Sequence, residues 1–386
     1  MPFSVNHLTP LFFGQHMSLR TGMRLKEFGV TRVLFVYDQG IKKAGIPDPI
    51  IKNVKALGIK VSVYEGVQAD PPDYTVDEAA EIGLKDQVDG VVGLGGGSSM
   101  DTAKAANLML TNPPGIQKYL GAMRAQFKPG KTLILIPTTA GTGSEVTTMA
   151  VLTDTRDHRK KGPGGPYCRA NLAIVDPLLT VGMPPQITAD TGMDAFAHAF
   201  EAVTSGQAHP MSDLLGEKAI SLICQYLPMA VKDGKNLEAR EKMSFAATLA
   251  GYAFTDSITH LGHSIGHALG TSHHIPHGNA CVLAMPEIAE FIAEYTPGIK
   301  RVGIAMGLKI DENTPAKESG KMVRDAIRAL NKGIGIKGLQ QHNIKESDLP
   351  AIAAAATTEG PATFSPKKAS AEDWLVMLKS AYSYKS

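Results

Sequence analysis

The sequence predicts an α/β amino-terminal domain, residues 1–183, joined to an all-helical carboxy-terminal domain, residues 184–386. Three observations carry this reading. Before Met183-Pro184-Pro185, apolar β-type runs alternate with helical segments, the pattern of a sheet covered by helices. After those prolines, Ala/Leu/Met-rich helical periodicity takes over. No internal repeat or low-complexity tract interrupts either half, and 386 residues suffice for two domains with cores of their own.

Taken in order, the strand signals are RVLFVY from Arg32, KVSVYEG from Lys60, GVVGLGG from Gly90, KTLILIP from Lys131 and LAIVDP from Leu172. Upstream of them, TPLFFG from Thr9 reads as a further strand able to pair with a second copy of the chain. Beyond residue 184, helices are expected to break at Pro210, Pro228, Pro276, Pro286 and Pro297. The stretch 351–366 reads as an Ala-rich helix followed by a loop.

The third strand signal, Val88 to Leu94, runs into Gly95, Gly96, Gly97, Ser98 and Ser99, then into an amphipathic helix expected to begin near Met100. Small residues let backbone N–H groups approach an anion, and the helix dipole favours it, so this turn predicts a phosphate cradle. The pattern is neither GxGxxG nor the GK[ST] ending of a P-loop. A tight strand-to-helix turn also needs glycine on conformational grounds alone. After the next strand, PTTAGTGSEVT offers Thr138, Thr139, Thr142 and Thr147 to line a nucleotide with hydroxyls. Asp38 ends the first signal, where a carboxylate accepts bonds from an adenosine ribose and repels a 2′-phosphate, favouring NAD over NADP. Aspartate there is equally an ordinary turn residue.

A second cluster falls in the helical half. Asp194 and His198 stand four residues apart in TGMDAFAHAFEAV, on one helix face. Downstream, SITHLGHSIGHALGTSHHIPHG supplies His260, His263, His267, His273, His274 and His277. One carboxylate oxygen with two or three imidazoles, and no thiolate in the run, suits zinc or ferrous iron. The competing reading is that these histidines cap and hydrogen-bond helices. If both clusters work together, they meet in a cleft between the domains, a usual place for a cofactor and small substrate.

Net charge is +2, with lysine and arginine scattered, so no nucleic-acid footprint is present. Cys168, Cys224 and Cys281 are odd in number and unpatterned, which fits a reducing compartment. No signal peptide is visible at the amino terminus and no apolar run is long enough for a bilayer, so a cytoplasmic location is expected.

Taken together, GGGSSMDTAK at 95–104, PTTAGTGSEVT at 137–147, AIVDP at 173–177, GMDAFAHAFEA at 192–202 and the His263–His277 region resemble the iron-containing (group III) alcohol dehydrogenase family over nearly the whole chain. The resemblance implies the two-domain architecture shared with dehydroquinate synthase, with an NAD-binding domain at 1–183 and a metal-binding domain at 184–386. It implies Asp194, His198, His263 and His277 as ligands of Fe2+, with Zn2+ the alternative, and His267 as a histidine near the substrate oxygen, either relaying the hydroxyl proton or supporting the site structurally. Lys160 and Leu179 join Asp38, Gly95, Gly96, Gly97, Ser98 and the threonines as cofactor-facing residues. The implied reaction is hydride transfer between NAD(H) and a small primary alcohol or aldehyde, polar and anionic ones included, in a homo-oligomer. Phe254 is a candidate to pack on the substrate or nicotinamide, or simply in the core.

Departures from the family pattern concern substrate. Ala197 precedes the ligand His198, Asp256 stands where asparagine is more usual, and His260 stands where glycine is more usual. His260 either adds a polar group near the site or hydrogen-bonds outward. In the unusual 157–171 hairpin, Lys161 and Arg169 are either solvated or able to reach an anionic substrate. A glycerol-dehydrogenase-like zinc enzyme and a dehydroquinate-synthase-like lyase are the competing readings; the i,i+4 Asp194/His198 pair speaks against the lyase.

Overall fold

The structure is a computed structural model, and it describes residues 3, 5, 8–121 and 127–384. Two compact units emerge, one drawn from Asn6–Thr139 and Gly143–Thr180, the other from Val181–Ser386, Ala140–Thr142 and Met1–Val5.

The first unit holds a six-stranded sheet. Its strands are β1 (Leu11–Phe13), β2 (Arg32–Asp38), β3 (Lys60–Val67), β4 (Gly90–Gly95), β5 (Thr132–Pro137) and β8 (Leu172–Val175), in spatial order β1-β8-β5-β4-β2-β3. Every pairing is parallel. β6 (Leu152–Asp154) and β7 (Arg159–Lys161) form a separate antiparallel hairpin. Helices α1 (Thr21–Glu27), α2 (Gln39–Lys43), α3 (Pro47–Ala56), α4 (Tyr74–Lys85) and α5 (Gly97–Met109) connect the strands. Alternation along β2 feeds both faces: Val33 and Phe35 pack with Leu25 and Ile50, whereas Leu34 and Val36 pack with Val76 and Met100. From β2 the chain moves outward to β3, then crosses back to β4 on the other side of β2. The strand order therefore reverses between β2 and β4, and in such sheets ligands bind beyond the carboxyl ends of strands at that point. Those ends carry Asp38 and Gly95.

One expectation about α5 is corrected. It starts at Gly97, not near Met100, and from Ser99 to Met109 every residue is buried, so it is enclosed all round and not amphipathic. Its seat on β4, with α4 and the segment after β5 packed against it, explains the enclosure.

The second unit is helical among its described residues: α6 (Pro185–Thr204), α7 (Pro210–Lys232), α8 (Leu237–Ser257), α9 (Leu261–His273), α10 (His277–Val282), α11 (Met285–Ile292), α12 (Gly298–Ala305), α13 (Ala316–Gly333), α14 (Leu349–Thr357) and α15 (Ala371–Ser383). Long helices α6, α7 and α8 pack on one another around Phe196, Phe200, Ile223 and Leu227. Pro210, Pro276, Pro286 and Pro297 lie at helix starts, where a missing N–H costs nothing. Pro228 does not break its helix. It lies in the last turns of α7, which continues to Lys232 because Leu227 and Ala230 on either side are fully buried.

Candidate metal centre and nucleotide cradle

Helix α6 carries Asp194 and His198, α9 carries His263 and His267, and α10 begins at His277. Glycines let these helices meet at backbone distance. A methyl on Gly262 would lie 3.0 Å from the Cys281 carbonyl oxygen, one on Gly266 2.5 Å from Cys281 Sγ, and one on Gly278 would overlap the Asp190 carbonyl. The side chains of three helices are thereby drawn to one point.

At that point His263 Nε2 lies 3.0 Å from His198 Nε2. Asp194 Oδ1 lies 3.8 Å from His277 Nε2, and Asp194 Oδ2 4.0 Å from His198 Nδ1. One donor atom each from Asp194, His263, His277 and Cys281 falls within 4.8 Å of all the others. Cys281 corrects the expectation of a cluster without sulfur. It follows His277 by four residues on α10, a full helical turn that sequence inspection passed over because no second cysteine marked it.

Behind the cluster, Glu201 is completely buried one turn beyond His198. Its Oε1 accepts the backbone N–H groups of His260 at 3.0 Å and Gly262 at 2.6 Å, while Oε2 receives the Nδ1 proton of His263. Burial alone would raise this carboxyl, but the histidines beside it and these donors hold it below the usual range. Sequence reasoning missed Glu201; the signal was its i+7 spacing from Asp194 on the same face. His260 is fully buried on that far side. Thr204 donates its hydroxyl to the Phe200 carbonyl at 2.7 Å, so His260 Nε2 is the donor in its 2.8 Å bond to Thr204. It supports the α6–α9 junction, the structural of its two readings.

His267 is half-buried, with Nδ1 3.3 Å from Glu359 Oε2 and its ring stacked near His277 at 5.7 Å between centroids. Phe254 stacks on His198 at 4.1 Å, nearly parallel. His273 lies 3.8 Å from Asp348, and His274 is exposed in the left-handed cap of α9, so neither joins the cluster.

The electrostatics favour a cation. Burial pushes Asp194 up to about 6 and holds His198 well below its ordinary value. Asp194 Oδ1 is buried and accepts no hydrogen bond among the described residues. A buried carboxylate oxygen without a donor is costly unless a positive charge faces it. The oxygen and imidazole donors fit a divalent transition ion.

In the α/β unit, Asp38 caps α2 through Ile41 N–H at 3.0 Å and accepts from Ser99 Oγ at 3.3 Å. Gly95 holds φ at +148°, and a side chain there would collide with Ser99 Oγ at 2.6 Å. Its carbonyl accepts Thr138 N–H at 3.0 Å, and a methyl on Gly96 would touch Thr139 at 3.6 Å. The first bond along α5 is Met100 N–H to Gly96 O, leaving the N–H groups of Gly97, Ser98 and Ser99 as the helix's leading donors. Asp38, Gly95, Gly96, Gly97, Ser98, Thr138 and Thr139 are thus gathered at the switch point, a shape that suits a dinucleotide.

Other expected cofactor residues sit differently. Thr147 accepts from Lys104 Nζ at 2.9 Å within a buried network that sequence reasoning missed. There Lys104 Nζ also donates to Ser144 Oγ at 2.8 Å and to the Met149 carbonyl at 2.7 Å, and Ser144 donates to Asp101 at 2.6 Å. Lys160 pairs with Asp70 at 2.5 Å and donates to Thr153. Leu179 packs on the sheet face around Val33 and Phe35. Thr142 is half-buried and belongs, with Ala140 and Gly141, to the helical unit. Lys161 is tied to Asp154 and Asp157, while Arg169 is exposed.

Comparison with known proteins agrees with this geometry. Residues 9–177 match the iron-containing alcohol dehydrogenase family, and residues 188–382 match the carboxy-terminal domain of the Fe-containing alcohol dehydrogenase family. The NAD-dependent methanol dehydrogenase of Bacillus methanolicus is 35% identical over 365 residues, 93% of this chain and 94% of that protein. Among solved structures, a 1,3-propanediol oxidoreductase superposes with TM-score 0.94 at 32% identity, covering 99% of this chain and 100% of that one. The sulfoacetaldehyde reductase of Bifidobacterium kashiwanohense, solved in complex with NAD+, gives 0.91 at 30% identity with both chains fully covered. A parallel sheet with a glycine turn at its switch point, a helical unit gathering carboxylate and imidazole donors, and matches along nearly its whole length place this chain in the iron-containing alcohol dehydrogenase family.

Proposed function

We propose that this protein is an NAD-linked, metal-dependent alcohol dehydrogenase, or in reverse an aldehyde reductase, acting on a short primary alcohol or aldehyde. The observation that carries the metal half is the unpartnered Asp194 Oδ1 beside convergent imidazoles. Asp194, His198, His263 and His277 would hold Fe2+, with Zn2+ as the alternative. A divalent ion there supplies a Lewis acid that makes an alcohol hydroxyl more acidic, and NAD supplies the hydride acceptor.

The chain's own residues do the rest. The leading N–H groups of α5 hold the pyrophosphate, and Asp38 accepts from the adenosine ribose. Glu201, by accepting the Nδ1 proton of His263, presents that ring's Nε2 as a bare donor. His267, anchored through Nδ1 to Glu359, holds or passes the hydroxyl proton at Nε2. Phe254 covers His198 and keeps water from that side.

Substrate polarity is read from relatives that act on methanol, 1,3-propanediol and sulfoacetaldehyde. The 157–171 hairpin does not single out the anionic member of that range, because Lys161 is already neutralised. No helix among the described residues is long and apolar enough to cross a membrane. Three free cysteines suit the cytoplasm. Edge strand β1, paired among the described residues only with β8, offers its other side to a second copy in a homo-oligomer.

The test is NADH oxidation by metal-stripped protein reloaded with ferrous iron or zinc, against short neutral, carboxylated and sulfonated aldehydes. Turnover that needs both metal and aldehyde is the expected result. In Asp194→Ala and His277→Ala, bound metal and rate should fall together while NADH binding persists. Full metal content in either variant would overturn the ligand set.

A further inference from the structure

Cys281 is the one feature of the cluster that neither the sequence pattern nor the proposed ligand set accounts for. Its side chain is buried, and Sγ lies 3.6 Å from Nε2 and 3.9 Å from Nδ1 of His277. With zinc–sulfur bonds near 2.3 Å and zinc–nitrogen bonds near 2.0–2.1 Å, a tetrahedral site has sulfur and nitrogen about 3.6 Å apart. The sulfur therefore stands at ligand spacing from the His277 ring. That ring stands at the start of α10 with 38% of its side chain exposed, beside the rings of His263 and His267.

Two further observations point the same way. Asp194 Oδ1, on a residue only 3% exposed, has no hydrogen-bond donor among the described residues, and a carboxylate oxygen of Asp194 lies within 4.8 Å of the sulfur. On α9, a methyl on Gly266 would press on Sγ at 2.5 Å, so the absence of a side chain at Gly266 makes room for the sulfur there.

We propose that Cys281 is a thiolate donor to the metal centre, which makes the site mixed oxygen, nitrogen and sulfur and biases it toward zinc or cobalt over ferrous iron. The inference rests on the metal-centre reading above. Binding is balanced by loss of one proton: the Sγ–H bond breaks, its electron pair goes to the metal–sulfur bond, and the proton leaves to solvent. Thiolate is the softest donor in the set, and soft donors favour zinc over iron where imidazole alone does not discriminate.

Cobalt(II) is the probe. Metal-stripped full-length protein is titrated with Co2+, and visible and near-ultraviolet absorption are recorded for wild type, Cys281→Ser, Cys168→Ser and Cys224→Ser. We expect ligand-field bands in all four. A sulfur-to-cobalt charge-transfer band should appear in the near ultraviolet for every protein except Cys281→Ser. Zinc affinity, by chelator competition, should weaken at least about tenfold in Cys281→Ser. Ligand-field bands in wild type with no charge-transfer band would overturn the proposal while leaving the metal centre standing. If wild type bound no cobalt and no zinc, the metal-centre reading would fall and this inference with it. The wild-type spectrum decides the matter even if the serine variant does not fold.

Discussion

Glu201 and His263 share a buried hydrogen bond in which the carboxylate takes the Nδ1 proton, so the Nε2 lone pair of His263 faces His198 at 3.0 Å. In the metal-free protein His198 can donate an Nε2 proton into that lone pair, and an ion held by both rings would take the place of that proton. The pair ties a residue deep in α6 to a ring on α9 and fixes the tautomer that ring presents.

Glu201→Gln should weaken metal binding about 10–100-fold, because the amide can donate to Nδ1 and turn the imidazole's proton toward the metal. Fold should be little affected, since the amide oxygen still accepts the N–H groups at the start of α9. Chelator competition gives the affinity and circular dichroism checks the fold. Unchanged affinity would show that His263 keeps its tautomer without the carboxylate.

Asp194 gives the metal-free protein a pH dependence with a definite sign. Burial raises its carboxyl to about 6 from 3.8 when unfolded, so between those values the folded state holds the proton that the unfolded state has lost. Stability from this group therefore falls as pH rises through that window and stays low above it. The difference amounts to about 3 kcal/mol. In urea unfolding of chelator-treated protein, Asp194→Asn should gain on wild type between about pH 4 and 7, and saturating metal should remove that advantage.

Asp38→Gly should relax the preference for NAD over NADP, because it removes the carboxylate from the end of β2. It also removes the cap on α2, at about 1 kcal/mol or less. The ratio of kcat/KM for the two cofactors is the readout, and an unchanged ratio would place the ribose elsewhere.

Lys104→Met should destabilise the α/β unit by about 3–5 kcal/mol, since it strands Asp101 and the Ser144 and Thr147 hydroxyls in a buried network. Denaturant unfolding measures this, and NADH affinity should fall with it because the 144–149 segment loses its anchor. Changing Lys104 and Asp101 together to apolar residues should recover part of the stability.

Local pattern explains what could be read from sequence. The continuous apolar runs of β2, β4 and β5 announce strands buried on both faces, and Asp194 with His198 announces a helix face through its spacing alone. Glu201, Lys104 and Cys281 were not legible for a shared reason: each acts through a partner far along the chain. Glu201 meets residues 59 to 62 positions away, Lys104 reaches 40 to 45 positions, and Cys281 draws its meaning from helices that only the fold sets beside it. Pro228 was misread because periodicity does not reveal how firmly Leu227 and Ala230 are packed.

Gly262, Gly266 and Gly278 hold α9 and α10 against each other and α10 against α6 through backbone contact. Backbone at that spacing has no side-chain slack to take up when an ion leaves, so the donors stay where the helices put them. An empty centre is then a preformed socket. Metal capture would proceed without folding anything, so exchange of one ion for another should be governed by competition among ions and hardly at all by rearrangement of the chain. Which metal the protein carries would then follow the free concentration of each ion weighted by the preference of the donor set.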